Sequence, residues 1–206
     1  MRKYSALSLF AALLFFALPS FAQPNAARPN IIIILADDLG YGDVQSFNPH
    51  SKIPTPNLDK LARQGVRFTD AHSPSSVCTP TRYGLLTGRY PWRSRLKAGV
   101  LSPLGKPLIE EGRLTLPAML KQQGYATAIV GKWHLGWDWA TTDGKVAAIT
   151  PNGLSNVDFT KPVANGPITR GFDYFYGVDL PNFPPYVFIE NDRTLGTPTE
   201  TIPPNN

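Results

Sequence analysis

The chain has 206 residues, 42% of them hydrophobic, which is enough to bury a sizeable core and fits one α/β domain. Its 21 prolines and 17 glycines call for many loops, yet the apolar fraction excludes a disordered chain. The formal charge of +5 is mild and its bases are scattered, so no basic run interleaved with aromatics marks a nucleic-acid partner. A single cysteine, Cys78, excludes an internal disulfide framework, and the Cys/His clusters of a zinc module are absent.

Residues 1–22 read as a secretory signal. Arg2 and Lys3 form its charged start, Ala6 to Leu18 its apolar stretch, and Ser20-Phe21-Ala22 a small-x-small cleavage site. The apolar stretch is shorter than the about 20 residues a spanning helix needs, so export without a stable membrane anchor is expected. The destination is periplasmic or extracellular, and residues 23–206 form the mature part.

The run Asn30-Ile31-Ile32-Ile33-Ile34-Leu35-Ala36 is β-branched without alternation, the pattern of a parallel strand covered on both faces. Asp37 and Asp38 end it, at the edge where open parallel sheets place their ligands. Two adjacent carboxylates repel each other, so the pair reads either as a site for a hard divalent cation or as a solvated turn. Thr55-Pro56 through Gly65 follows as a short helix, capped by Thr55, with Leu58, Leu61 and Ala62 facing a core. Val66-Arg67-Phe68-Thr69 alternates as a strand and completes a βαβ pattern, with His72 in the loop beyond.

Thr79 and Pro80 then start a helix that runs to Gly88, placing Cys78 among free backbone N–H groups at its positive end. Arg82, four residues on, shares a helix face with Cys78. Taken alone, Cys78 is either an inert thiol or the centre of an oxyanion site; in an exported chain it pairs, stays free or is modified. Residues 90–113 are long for a connection and read as a lid or pocket wall, with Arg93, Arg95 and Lys97 as a basic surface. Thr115 to Gly124 repeats the capped-helix design, and Tyr125 to Gly131 is a buried strand. If extended geometry persists, Lys132 and His134 point the same way, as two surface groups or as an ammonium and imidazole set for an oxyanion and a proton. Residues 137–167 read as loop, and Asn182 to Tyr186 as a turn that could line a pocket. No internal repeat is present.

The pattern Cys78-x-Pro80-x-Arg82 with Leu85-Leu86-Thr87-Gly88-Arg89 resembles the signature of the sulfatase family. The stretch ending in Asp37-Asp38, the segment Gly131-Lys132-Trp133-His134-Leu135-Gly136 and the element Gly171-Phe172-Asp173 to Gly177 resemble further parts of it, the last as a packing turn with aromatics in the core. The resemblance implies an α/β fold, a mostly parallel sheet sandwiched by helices as in alkaline phosphatase. It implies that Cys78 is oxidised to formylglycine by a formylglycine-generating enzyme, and that a divalent cation, Ca2+ or Mg2+, binds Asp37, Asp38 and the modified Cys78. Arg82 and Lys132 then neutralise charge around the sulfate, and His134 assists proton transfer. The implied activity is hydrolysis of a sulfate ester, aryl or carbohydrate. A phosphonate or phosphodiester hydrolase on the same scaffold is the enzymatic rival, and a secreted α/β module with a free thiol the non-catalytic one. Family members are considerably longer and supply an Asp-Asn pair, a lysine and a histidine from their later part. The chain is therefore expected to be an N-terminal fragment, inactive alone.

Overall fold

The computed structural model describes residues 28–149 and 155–199, so the secretory signal expected at residues 1–22 lies outside the described residues. The chain divides into two units, Met1–Ala36 and Asp37–Asn206. In the first, residues 28–36 carry no regular secondary structure, and Ile31 to Leu35 are exposed. The buried strand expected there is not formed: such a strand needs hydrogen-bonded neighbours and apolar cover on both faces, and no described strand pairs with it.

Among the described residues the second unit holds three α-helices, α1 (Pro56–Gln64), α2 (Cys78–Thr87) and α3 (Leu116–Gln122). Its sheet has strands β1 (Ala128–Lys132), β2 (Tyr174–Val178), β3 (Ile189–Glu190) and β4 (Arg193–Thr194), in that spatial order. β1 and β2 run parallel, from Ala128 opposite Tyr174 to Lys132 opposite Val178. β3 returns antiparallel to β2 and turns tightly into β4. The class is α/β and the sheet is mixed. The Tyr174–Val178 strand replaces the expected packing turn, although Phe172 and Phe175 are buried as expected.

Three local expectations are corrected. Val66 to Phe68 is not a strand, and Val66 and Phe68 are exposed. Helix α1 forms between Pro56 and Gly65, but Leu58 and Leu61 are exposed, so its apolar stripe meets no core. Its start is fixed by polar bonds instead of a side-chain cap. The Thr55 hydroxyl accepts the Gln45 N–H and donates to Asp59, which also accepts the Ser46 N–H. In α3, by contrast, Thr115 does cap, accepting the Ala118 N–H at 3.3 Å while donating to the Arg170 carbonyl. Lastly, β1 is no buried strand, since Val130 is 72% exposed.

The core lies under segments that read as loop. Trp133 through Trp137 is buried without a break, joined by Trp139, Leu101, Leu108, Ile109, Tyr83 and Phe175. The 90–113 segment thus gives Leu101, Leu108 and Ile109 to the core, and its Pro103 lines a pocket. Trp137 packs edge-on against Trp139, with ring centroids 5.4 Å apart, and against Phe175 at 6.1 Å. Each buried aromatic removes roughly 150–250 Å2 from water, worth about 4–6 kcal/mol as an upper bound. That outweighs the about 1–3 kcal/mol of an unpaired buried donor, which Trp137 and Trp139 incur because neither indole N–H has a partner among the described residues.

Gly136 makes this packing possible. Its φ is 74°, and a Cβ there would lie 2.6 Å from the Gly105 carbonyl and closer still to that of Lys106. The neighbouring backbone is held by the Leu108 N–H donating to the Leu135 carbonyl at 2.8 Å. Gly136→Ala is expected to destabilise the fold by about 2–4 kcal/mol, read as a lowered urea midpoint with unchanged slope.

Candidate functional site

Helix α2 begins at Cys78, two residues before Pro80, with Val77 extended ahead of it. The first-turn amides of a helix have no acceptor within it, so Cys78 sits at a positive helix end. Its thiol is free and half-buried. The helix is fastened on both sides of the site. Thr79 is fully buried and its hydroxyl accepts the Leu101 N–H at 3.2 Å. Tyr83, also fully buried, donates its hydroxyl to Glu110, which pairs with Arg89 at 2.8 Å.

Arg82, one turn after Cys78, reaches across to the end of β1. Its guanidinium donates to the Lys132 carbonyl at 2.5 Å and pairs with Asp37 Oδ1 at 3.5 Å. Lys132 Nζ donates to Asp37 Oδ2 at 2.7 Å. The two cationic side chains are only 12% and 14% exposed, so this contact is screened less than a surface pair. The Lys132 ammonium, ahead of Arg82, holds the Asp37 carboxyl below its ordinary range. The cluster's contribution to stability is therefore complete above that range and is lost as pH falls below it.

Beyond β1, His134 adopts φ 50°, a left-handed conformation that costs a residue bearing a Cβ, and is buried. The extended geometry expected through Lys132 and His134 is thereby broken. His134 Nε2 lies 3.0 Å from the Leu101 carbonyl. A carbonyl only accepts, so Nε2 carries the proton and Nδ1 is a bare acceptor, without a partner among the described residues. Burial is the largest influence keeping His134 below its ordinary pKa, and the imidazole is neutral near pH 7. Leu101 thus receives His134 on its carbonyl and offers its N–H to Thr79, the neighbour of Cys78.

The structure brings Asp37, Arg82 and Lys132 into contact, with Cys78 one turn from Arg82 and His134 two residues from Lys132. Asp38, at φ 61° and exposed, is not part of that contact. His72 pairs with Asp70 on the surface. Arg95 and Lys97 donate to the backbone carbonyls of Lys106 and Trp92, stapling their own segment. The described residues do not fit a divalent cation unaided. Both Asp37 oxygens face cationic side chains, and among the described residues no three His, Cys, Asp or Glu side chains gather to hold a metal ion. Calcium takes about 6–8 oxygens.

Asp179 is the site neighbour that sequence reading missed. It follows β2 directly, beside the Lys132 end of β1, and is buried. With Phe183, Pro184 and Pro185 it lines a small pocket together with Trp137 and Trp139, so the Asn182–Tyr186 turn does line a pocket. Burial pushes the Asp179 carboxyl up to about 7, against the opposing pull of the His134 backbone N–H and the Lys132 ammonium. A lone Asp between apolar residues and a proline reads as a turn; its place at a strand exit beside Lys132 is the cue that could have found it.

A raised carboxyl pKa contributes stability that is whole below the unfolded value and is lost as pH rises toward 7. Asp179→Asn removes that dependence. Its stability relative to the unaltered protein is expected to grow between pH 4 and 7, by on the order of 1.4 kcal/mol per pH unit, and to level off above. Urea unfolding of both proteins at pH 5 and 8 checks this.

A family model described as sulfatase matches residues 29–195. An N-acetylgalactosamine-6-O-sulfatase from Bacteroides thetaiotaomicron is 40% identical over 167 residues, 81% of this chain and 30% of that protein. Arylsulfatase A of Bos taurus is 53% identical over 106 residues, 52% of this chain and 21% of that protein. A solved structure described under glycosaminoglycan metabolism by Bacteroides thetaiotaomicron superposes with a TM-score of 0.69 at 39% identity, covering 82% of this chain and 32% of that one. Another, Ps i-CgsB in complex with k-i-k-neocarrahexaose, gives 0.59 at 29% identity, covering 81% and 37%. The chain thus spans about a third or less of the relatives it matches.

Proposed function

The chain belongs to the sulfatase family, and from that premise we propose that the whole protein, and not this chain alone, hydrolyses sulfate esters through an aldehyde hydrate, formylglycine, made from Cys78. The supporting observation is the Asp37–Arg82–Lys132 contact, one helical turn from a free thiol at a helix start. An oxygen-bearing group fits position 78, where first-turn amides and Arg82 favour negative charge. Once formed, that group supplies a nucleophilic hydroxyl and, on the same carbon, a second one for regeneration.

This chain's own residues then have distinct tasks. Arg82 and Lys132 set positive charge where the anionic ester oxygens lie, and their low exposure keeps that charge effective. His134 is neutral, with its proton fixed at Nε2, so Nδ1 is the atom free to hold a proton. The family's cation, Ca2+ or Mg2+, needs donors beyond Asp37, Asp38 and the modified residue 78. A sulfated carbohydrate is the substrate class, supported by the Bacteroides N-acetylgalactosamine-6-O-sulfatase and by the oligosaccharide bound to Ps i-CgsB. Export through residues 1–22 and maturation by a formylglycine-generating enzyme belong to the same proposal.

Tryptic mass spectrometry of the exported protein is expected to show an aldehyde in place of the Cys78 thiol. Cys78→Ala should lower turnover of a sulfate ester by about a thousandfold or more, without loss of fold. Intact thiol in protein that turns over sulfate esters would sink the proposal, and faster turnover of a phosphodiester would reassign the reaction.

A further inference from the structure

We propose that Thr79 is a positioning residue for His134, acting through the backbone of Leu101. Thr79 follows Cys78 in the first turn of α2 and is fully buried. A threonine in a helix commonly turns its hydroxyl back to the carbonyl four residues earlier. Here that carbonyl, on Ser75, receives the Thr81 hydroxyl at 2.8 Å, while the Thr79 oxygen accepts the Leu101 N–H at 3.2 Å.

Leu101 lies in a stretch without regular secondary structure and is 6% exposed. No ladder serves its backbone, so its N–H and carbonyl must find partners elsewhere in the fold. Both find side chains, the N–H on Thr79 and the carbonyl on His134 Nε2 at 3.0 Å. A neutral imidazole carries its proton on the nitrogen whose partner accepts it. The Leu101 carbonyl therefore selects the Nε2–H form and leaves Nδ1 as the bare nitrogen. That carbonyl stays in place only if the residue bearing it is anchored, and its N-terminal side is anchored by the neighbour of Cys78. One buried hydroxyl thus ties the start of α2 to the tautomer of an imidazole 55 positions later in the chain. Thr79 touches no reacting group; it acts through Leu101 and His134.

The inference deepens the sulfatase reading and rests on it for the use made of Nδ1, but it is tested without turnover. Thr79 adjoins Cys78, so turnover would report maturation as well as geometry. The whole protein is labelled with 15N at histidine and leucine, and the unaltered form, Thr79→Val and Thr79→Ser are compared by NMR at a pH where His134 is neutral. Valine keeps the shape and removes the acceptor, whereas serine retains it. Thr79→Val is expected to speed amide exchange at Leu101 by about tenfold, with Leu108, which donates to the Leu135 carbonyl, unchanged. The same variant should turn a single Nε2–H tautomer into a mixture in which the Nδ1–H form reaches about a tenth or more. Thr79→Ser should restore both readings to within about threefold. An Nδ1–H tautomer in the unaltered protein overturns the proposal without recourse to any variant. An unchanged tautomer in Thr79→Val overturns it too, as does equal acceleration at Leu101 and Leu108, which marks a general loosening. Absence of sulfate-ester hydrolysis with the tautomer pattern intact counts against the catalytic reading alone.

Discussion

Arg82 stitches three separate parts of the chain together with one planar group. It springs from α2, bonds the backbone at the end of β1, and faces the carboxylate that follows the Ile-rich stretch. A guanidinium offers five donors in a fixed fork, so it can serve a carbonyl and a carboxylate without changing shape. A lysine at that position would present a single mobile charge and lose one of the two contacts. Because Arg82 is nearly buried, the surrounding chain must supply acceptors, and it does so with Asp37 and the Lys132 carbonyl. Its Nε still lacks a partner among the described residues.

The packing beneath this junction explains why it is rigid. Trp133, Leu135 and Trp137 bury large apolar surfaces, and they alternate with Lys132, His134 and Gly136 along the same few residues. The apolar anchors fix the chain tightly enough to hold His134 in a conformation it would not choose. Loops as buried as this are uncommon, since their backbone groups must find partners away from water. Here Leu108, Leu135, Trp133 and Val178 satisfy one another across segments far apart in sequence.

Much of this was legible in the residues. The Thr-Pro starts and glycine stops delimited α1 and α3, and the Cys78-to-Arg89 pattern located α2 to within two residues. Lys132 and His134 were singled out, though the turn between them was not, because φ at His134 is set by tertiary packing. Ile31 to Leu35 and Val66 to Phe68 have strong strand composition but no described strand to pair with, and composition cannot create a partner. The core was missed for the opposite reason. Leu101, Leu108, Trp137 and Trp139 sit among Gly, Pro and Asp, so no periodicity announces them.

Among the described residues β1 occupies the end of the sheet, hydrogen-bonded to β2 on one side, with Val130 turned to water. Such a border offers a row of backbone donors and acceptors to any extended peptide that drifts past, and its neighbouring valine makes the encounter sticky.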